Sequence, residues 1–232
     1  EFHFFTPSDS VQDVTLFAKY TLRADEMFLN RMIGGTFEGS NDPDFREKEV
    51  LYLINEKPKR LQTVVQSYSS KSYRYVRYIG PKDSHCNIAE AAFYTPNDTA
   101  SLKGKVIGTP GCFQKDGSHE YTNVFDGDVT TSFDYIEPSG GWSGLDLGTP
   151  KQIGRIVYTP RSYDNYIRSG DDYELFYCAR RNNWKSLGDQ RSKADSLIYI
   201  KIPVNALLLL CNNTRGIQER IFVYTAAEQI WK

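Results

Sequence analysis

The stretch NVFDGDVTTSFDY, residues 123–135, has the spacing of oxygen-bearing side chains that best suits a metal ion. Asp126 and Asp128 flank Gly127, and Thr131 follows shortly after them. Calcium takes about six to eight oxygen ligands. Two carboxylates across a glycine can wrap one such ion, and Thr131 can add a hydroxyl or carbonyl oxygen. The stretch therefore indicates a calcium-binding turn, and the alternative is an Asp-Gly turn whose aspartates cap backbone amides.

The residue types needed for covalent or acid–base catalysis are scattered along the chain. His3, His85 and His119 lie in different parts of the sequence, and neither a GxSxG nor an HExxH pattern occurs. The carboxylates of GDDYE, residues 170–174, alternate beside a turn, which is typical of a solvated strand edge. A catalytic set needs a nucleophile, a base and an orienting group that converge. We therefore expect no enzymatic activity in this chain.

Charge and hydropathy exclude two classes of partner. Lys and Arg total 28 and Asp and Glu total 29, so the net charge of −1 offers no electrostatic attraction to nucleic acid or to an anionic membrane. The longest apolar run, ALLLLC at residues 206–211, has the length of one buried strand. A membrane helix needs about 20 apolar residues. We expect neither nucleic-acid binding nor membrane insertion.

The four cysteines, Cys86, Cys112, Cys178 and Cys211, are widely spaced, and no CxxC pair occurs. This spacing argues against a zinc site, which usually clusters its ligands. Cys178 and Cys211 both end strand-like runs. A disulfide between them and buried free thiols both remain open.

Short alternating runs such as DYELFYC, LIYIKIPV and RIFVYT recur along the chain, separated by Gly, Pro, Asn and Asp. No segment shows a sustained apolar stripe at helical spacing. Aromatic residues make up 14% of the chain, and their broad rings favour strands. These features predict an all-β protein built as an antiparallel sandwich.

The sequence repeats itself. The run at 14–20 matches the run at 153–158, and each ends in Tyr with Arg three residues later. Each copy later has Ile-x-Glu before an apolar strand, so Glu90 matches Glu219. We therefore predict two modules, residues 1–97 and 104–232, joined by the polar segment TPNDTASLKGK. The first lacks a counterpart of the acidic loop, so it is predicted to be truncated or degenerate and to bind no metal.

The second copy resembles the discoidin-like, or coagulation factor 5/8 type C, domains, which include many carbohydrate-binding modules. The stretches that carry the likeness come in the family's order: NVFDGDVTTSF, WSGLDLG, IGRIVYTPR, GDDYELFYC, NNWKSLG and IQERIFVYT. The resemblance implies two tandem jelly-roll β-sandwiches of the galactose-binding-like type, the first incomplete. It also implies that Glu219 completes the calcium site with Asp126, Asp128 and Thr131.

The same resemblance places ligand-binding loops at one end of the sandwich. Tyrosine offers a flat apolar face to a sugar, and arginine offers forked donors to its hydroxyls. The loops TPRSYDNYIRSG, NNTRG and EPSGGW provide the candidates, which are Trp142, Arg161, Tyr163, Tyr166, Arg168, Asn213 and Arg215. Core packing is the alternative role for Trp142. A fold role such as a buried ion pair is the alternative for Arg161, which recurs as Arg23.

The function expected from these features is non-catalytic binding of a glycan or oligosaccharide by a pair of modules. The chain begins EFHFFTPSDS, with neither an initiator Met nor the features of a signal peptide, and is interpreted as part of a larger protein. The pair would hold that protein, through its upstream domains, near its substrate. The expected location is secreted, periplasmic or at the cell surface. The alternative is a structural or protein-interaction spacer that binds no sugar.

Overall fold

The computed structural model describes residues 5–20, 23–180, 183–216 and 220–232. These residues form one α-helix, one 3-10 helix at Tyr121–Phe125 and fifteen strands. The protein is therefore nearly all-β, as predicted. The elements in chain order are β1 Val11–Leu16, α1 Arg23–Asn30, β2 Thr36–Ser40, β3 Lys48–Leu53, β4 Thr63–Gln66, β5 Ser72–Ile79, β6 Glu90–Tyr94, β7 Lys105–Gly108, β8 Trp142–Gln152, β9 Arg155–Thr159, β10 Asp172–Arg180, β11 Asn183–Arg191, β12 Leu197–Pro203, β13 Leu208–Asn212, β14 Ile221–Thr225 and β15 Glu228–Trp231.

The chain folds as two compact units. The larger unit is Arg23–Asp164, and the smaller unit combines Glu1–Leu22 with Asn165–Lys232. This division differs from the predicted modules, because residues 97–104 lie inside the larger unit. The described residues include no helix with the length and apolar character of a membrane span.

The larger unit contains two antiparallel sheets. One has five strands in the order β3-β2-β5-β8-β7, and the other has three strands in the order β4-β9-β6. Side chains from both sheets form one core. The ring of Phe37 on β2 lies 5.4 Å from Tyr158 on β9 and 6.0 Å from Phe93 on β6. Aromatic pairs at this distance pack well in a tilted or edge-on arrangement. Two facing sheets around a shared core have the layering of a β-sandwich.

The WSGLDLG stretch lies on β8, between β5 and the edge strand β7 of the five-stranded sheet, and close strand packing explains its first glycine. A Cβ atom at Gly144 would lie 2.2 Å from the carbonyl oxygen of Val76 on β5. Only glycine allows the two strands to pair here without a backbone shift.

The smaller unit contains a five-stranded sheet in the order β11-β10-β13-β14-β15 and a two-stranded sheet formed by β1 and β12. Its core includes Val14 and Leu16 of β1 together with Tyr199 of β12 and Leu175 of β10. A β-bridge between Ala18 and Tyr166 joins the two segments of this unit. Backbone hydrogen bonds from Lys19 to Asn165 and from Ile167 to Phe17 flank this bridge, called here the Ala18–Tyr166 clamp.

One feature of the strand pairing can be compared with the predicted internal repeat. In the larger unit β2 lies between β3 and β5, and in the smaller unit β10 lies between β11 and β13. In both, the central strand pairs with the next strand in the chain and with the third strand after it. One strand of each copy, however, pairs with the other copy. β1 of the first copy pairs with β12, with Val14 opposite Tyr199, and β9 of the second pairs with β4, with Tyr158 opposite Thr63. This exchange is why the compact units do not follow the predicted module boundaries.

Candidate functional site

The acidic loop follows the 3-10 helix of the larger unit, and its side chains are turned onto the loop itself. Asp126 Oδ1 accepts a hydrogen bond from the Asp128 amide at 2.7 Å, and Asp128 Oδ1 accepts one from the Thr130 amide at 2.9 Å. The hydroxyl of Thr131 donates to Asp126 Oδ2 at 2.8 Å. Gly127 has a φ of +85°, which favours glycine. Both aspartates therefore cap backbone amides, as in the alternative interpretation of this stretch.

Glu90, the first residue of β6, packs against this loop. Its Oε1 accepts a hydrogen bond from the Gly127 amide at 2.8 Å. Burial, together with the neighbouring carboxyl of Asp126, raises the pKa of Glu90 to about 8. Two carboxyl groups in contact favour a shared proton or a cation between them. Glu90 thus packs against the acidic loop, whereas Glu219, which the resemblance gave as the completing calcium ligand, lies outside the described residues.

A search of the described part of the chain finds no group of three or more His, Cys, Asp or Glu side chains placed to hold a metal ion. Calcium binding by the acidic loop therefore stays a prediction. Sequence reasoning missed the contact of Glu90 because the predicted boundary assigned Glu90 and the acidic loop to different modules. The repeated Ile-x-Glu pattern was the available signal.

A chain of hydrogen bonds lies near the ends of several strands of the larger unit. Asp134 accepts from Arg161 Nη1 at 2.6 Å through Oδ2 and from Asn87 Nδ2 at 2.7 Å through Oδ1. Asn87 Oδ1 in turn accepts from Arg31 Nη1 at 2.9 Å. Asp134 and Asn87 are buried. Arg161 therefore has the buried ion pair considered as its alternative role, and the chain fixes the position of Arg31 after α1.

Aromatic rings extend this network. The guanidinium carbon of Arg161 lies 4.4 Å from the ring centre of Phe28 on α1. The ring of Tyr163 lies 5.7 Å from the same ring, and Tyr163 is 50% exposed. Phe28 itself is buried. Tyr163 thus presents ring surface to solvent on a fixed support, called here the Phe28 platform (Phe28, Arg161 and Tyr163).

A concave surface of about 550 Å³ lies between α1 and the loop that connects β5 to β6. We call it the α1 cleft, and its lining residues are Glu26, Met27, Asn30, Arg31, Ile33 and Pro81–Ser84. Met27 and Ile33 are exposed apolar side chains, whereas Asn30 and Arg31 supply polar donors. Glu26 is paired with Lys57 at 2.8 Å. The cleft therefore combines apolar surface with a few placed polar groups, as ligand sites do.

The β5–β6 loop holds an uncommon backbone conformation. Asp83, His85 and Cys86 have φ values of +60°, +54° and +52°. Such residues cost about 1–3 kcal/mol each and persist only where the surroundings enforce them. Here the Asp83 amide donates to Ser139 Oγ and the His85 amide donates to the Pro138 carbonyl, both at 3.0 Å. The wall of the α1 cleft is consequently held by a second loop.

The other sequence-predicted ligand residues are not gathered at this site. Trp142 is half-buried, with its ring 5.7 Å from Phe45 and 5.2 Å from the Arg77 guanidinium, which is a packing role. Tyr166 is only 2% exposed, so its ring offers no face to a sugar. It belongs to the smaller unit, whereas Tyr163 belongs to the larger one.

Three further candidates lie in the smaller unit. Arg215 Nε is paired with the buried carboxylate of Asp171 at 2.6 Å. The Arg168 amide donates to the hydroxyl of Tyr173, and Asn213 is exposed. The seven predicted residues are thus divided between the two units, and only Arg161 and Tyr163 lie at the Phe28 platform.

The four cysteines all lie in the described residues, as do His85 and His119. All four cysteines are free thiols. Cys178 and Cys211 lie on the neighbouring strands β10 and β13, but they are not opposite each other. The Cys178 amide donates a hydrogen bond to the Leu207 carbonyl, and Cys211 is opposite Glu174. This register keeps their side chains too far apart for a disulfide. Nδ1 of His85 donates to a backbone carbonyl at 2.9 Å, and His3 lies outside the described residues.

Arg31, Asn87 and Asp134, which build the network behind the α1 cleft, were not predicted from the sequence. Each comes from a different segment, and no local pattern links them.

Comparisons of the chain with protein-family models, with curated proteins and with solved structures found no match.

Proposed function

We propose that the chain is a non-catalytic carbohydrate-binding protein whose larger unit binds a glycan at the α1 cleft. The observation that carries this proposal is the pairing of exposed apolar surface with a fixed arginine in one concave site. Met27 and Ile33 supply apolar surface in the cleft, and Arg31 is held by the Asn87–Asp134 chain.

Sugars present both C–H faces and hydroxyl groups, and the site offers partners for each. Arg31 uses Nη1 for Asn87 and retains further N–H donors for hydroxyls. Tyr163 offers an exposed ring on the Phe28 platform, and the Asn87–Asp134 chain links Arg161 of this platform to Arg31. Because the network is formed without ligand, little side-chain entropy is lost on binding.

The carboxylate nearest to this network is poorly suited to acid–base chemistry. Both oxygens of Asp134 already accept hydrogen bonds, one from Arg161 and one from Asn87. A general acid or base must reach the substrate within hydrogen-bonding distance, and Asp134 is buried and is not among the residues that line the α1 cleft. This supports binding without catalysis.

We further propose a calcium ion at the acidic loop, with Glu90 in place of Glu219. The contact between the Glu90 and Asp126 carboxyls is a position where a cation can replace a shared proton. Asp126, Asp128, Thr131 and Glu90 would supply oxygen ligands. Calcium bound there would have a structural role, because it would tie the acidic loop to β6.

The layered sheets of the larger unit support the jelly-roll, discoidin-like interpretation, and the matched strand orders of the two units support the tandem repeat. In this interpretation the chain is part of a larger secreted, periplasmic or cell-surface protein, which it holds at a glycan. Binding at one small site is expected to be weak, with Kd values of about 10 μM to 1 mM, so retention would rest on multivalency.

The proposal is tested by recording amide NMR spectra of the full chain while neutral and acidic saccharides are added. We expect shifts at Asn30, Arg31 and Tyr163 that saturate, and their loss in Arg31→Ala and in Tyr163→Ala. Tyr68→Ala is the matched control, since it removes an exposed tyrosine from another loop. Unshifted α1-cleft amides at tens of millimolar of every saccharide would overturn the proposal.

The spacer or protein-interaction alternative is favoured by a different observation. Ile198 and Ile200 on β12 of the smaller unit are 62% and 64% exposed, and Val11 on β1 is also exposed. Exposed apolar side chains on one sheet face are a feature of protein interfaces. A chain that binds no saccharide but loses a protein partner in Ile198→Glu and Ile200→Glu would support this alternative.

A further inference from the structure

The hydrogen-bonded chain behind the α1 cleft indicates the charge of the ligand. This chain joins the guanidinium groups of Arg161 and Arg31 through the carboxylate of Asp134 and the amide of Asn87. Asp134 and Arg161 form an ion pair at 2.6 Å, and both side chains are 12% exposed. Two positive charges therefore share one negative charge. The excess lies at Arg31, the end of the chain that lines the cleft.

The amide of Asn87 is oriented from both sides. Its Nδ2 donates to Asp134 at 2.7 Å, and its Oδ1 accepts from Arg31 at 2.9 Å. The reverse orientation would set donor against donor and acceptor against acceptor. Arg31 thus meets a neutral oxygen, and it forms no ion pair with any described residue. Its other N–H donors form a planar fork, which matches a carboxylate at two points.

Arg31 is a half-buried side chain rather than a fully solvated one. Its partner Asn87 is 1% exposed, and Asn87 is held in turn by Asp134, which is 8% exposed. A positive charge in such a position has lost part of its hydration and has gained only a neutral acceptor in return. A carboxylate of the ligand would supply the missing counter-charge where water screens it less than at an open surface.

The other charges of the cleft lining do not cancel this excess. Glu26 is matched by Lys57 at 2.8 Å. Lys82 and Asp83 are adjacent, exposed and oppositely charged, and neither forms an ion pair with any described residue. Asp83 can balance only one of the two cations, Arg31 and Lys82. Among the described residues, the cleft therefore keeps one positive charge without a negative partner, which favours an anionic ligand.

Apolar surface beside this charge favours a sugar acid over a simple anion. Met27 and Ile33 are 42% and 41% exposed and line the same cleft. The C–H face of a pyranose ring can cover these side chains, whereas acetate or phosphate would leave them in water. The cleft volume of about 550 Å³ lies within the range of about 300–1,000 Å³ for small-ligand sites.

We propose that the α1 cleft selects a carboxylated sugar, the chemical class of the hexuronic acids, over its neutral counterpart. The carboxylate pairs with the remaining donors of Arg31, and Lys82 adds a second cation on the β5–β6 loop. The C–H face of the ring covers Met27 and Ile33. This inference rests on the proposed function, because it assigns the ligand class of the same site.

Two pairs of sugars that differ only at the sixth carbon separate charge from shape. The full chain is titrated with galacturonic acid and galactose, and with glucuronic acid and glucose, while amide NMR spectra are recorded. We expect the acid of at least one pair to shift the amides of Asn30, Arg31 and Lys82, with an affinity about five- to twentyfold higher than that of its neutral partner. The methyl ester of that acid should bind like the neutral sugar. Salt at about 0.5 M should reduce the advantage of the acid, because it screens the charge.

Variants of the two cations assign the selectivity. Arg31→Lys keeps the charge but removes the planar fork, so the advantage of the acid should fall about threefold. Arg31→Gln should abolish that advantage, while the neutral sugar keeps most of its affinity. Lys82→Gln leaves the Asn87–Asp134 chain intact and should lower the affinity for the acid about twofold. Lys103→Gln removes an exposed lysine that does not line the cleft, and as the matched control it should change nothing.

The outcomes separate this inference from the proposed function. Acids and neutral sugars that bind the α1 cleft equally would overturn the inference and leave the proposed function standing. An advantage of the acid that persists unchanged in Arg31→Gln would also overturn it. Acetate that shifts the same amides as strongly as the acids would overturn the selection of a sugar. Amides that stay unshifted with every saccharide would overturn the inference and the proposed function together.

Discussion

At the scale of single residues, the contact between Glu90 and the acidic loop has the clearest consequence. The carboxyl of Glu90 is partly buried and touches that of Asp126, and its pKa is raised to about 8 from an ordinary value of 4.5. In the folded protein Glu90 holds a proton that the unfolded chain releases. The free energy of unfolding therefore includes a contribution that is present at low pH and disappears as the pH rises through the folded pKa.

We predict that, without divalent cations, the melting temperature falls as the pH is raised from about 5 to about 8, because the folded state binds more protons than the unfolded state over this window. Calcium should remove the fall, since it takes the place of the proton. Glu90→Gln should flatten the profile and abolish the response to calcium. Thermal unfolding followed by circular dichroism, with chelator and with calcium, checks both outcomes.

Glu137→Gln serves as the control, because it removes a carboxylate that is fully outside this contact. If Glu90→Gln and the wild-type chain give the same pH profile in chelator, the shared proton between Glu90 and Asp126 is not a property of the protein. A calcium response that survives in Glu90→Gln would place the ion elsewhere.

A second prediction concerns the ion pair of Asp134 and Arg161, whose side chains are each 12% exposed. Asp134→Ala should lower the free energy of unfolding of the larger unit by about 3–5 kcal/mol, because it leaves the Arg161 charge buried and unpaired. Chemical denaturation measures the loss. Asp44→Ala removes an exposed partner of Arg46 and should cost less than about 1 kcal/mol. Equal losses in the two variants would contradict the buried-pair interpretation.

At the residue level, the sequence could predict roles that depend on neighbouring residues in the chain. It could not predict the exposure or the contacts of side chains where distant segments meet. Tyr163 and Tyr166 look equivalent in the sequence, yet one is half exposed and the other is buried beside the Ala18 bridge. Which tyrosine faces solvent depends on a segment that lies far away in the chain, the one around Ala18. The same applies to Glu90, whose partner loop lies beyond the predicted module boundary.

At the scale of elements, alternating apolar residues predicted strands, but they did not identify the partners. β1 and β9 carry related sequences and occupy related positions, so local pattern does not distinguish pairing within a copy from pairing between copies. The pairing of β1 with β12 and of β9 with β4 is set by tertiary packing instead. The all-β class could therefore be predicted, whereas the division into units could not.

The exchanged strand pairing predicts which strands a core mutation destabilises. Leu16→Ala on β1 removes a fully buried side chain and should destabilise the smaller unit by about 2–5 kcal/mol. Hydrogen exchange should show amides of β12 losing protection while those of β4 keep it. Ile156→Ala on β9 is the matched variant and should expose β4 and β6 instead. Loss of protection in β4 on mutation of Leu16 would contradict the exchange.

At the scale of the whole molecule, the larger unit is continuous in the chain and the smaller unit is not. The larger unit has its own two sheets and its own core. A fragment of residues 23–164 should consequently fold alone, with a dispersed NMR spectrum and a cooperative melt. A fragment of residues 104–232, the predicted second module, lacks β1 and the partners of β9, and should stay poorly folded.

The two fragments control for each other, since they share residues 104–164 and differ in which sheets they complete. A well-folded 104–232 fragment beside an unfolded 23–164 fragment would favour the boundaries predicted from the sequence. Saccharide titration of a folded 23–164 fragment would also show whether the α1 cleft acts without the smaller unit.

The position of the Ala18–Tyr166 clamp also governs how the molecule responds to mechanical force. Both chain segments that flank the larger unit belong to the smaller one, and the clamp joins them just before the chain enters and just after it leaves. Tension drawn along the backbone from both sides therefore crosses the clamp first. While the clamp holds, the strands of the larger unit experience no pull. The α1 cleft would thus keep its shape when the chain is stretched between two anchored ends.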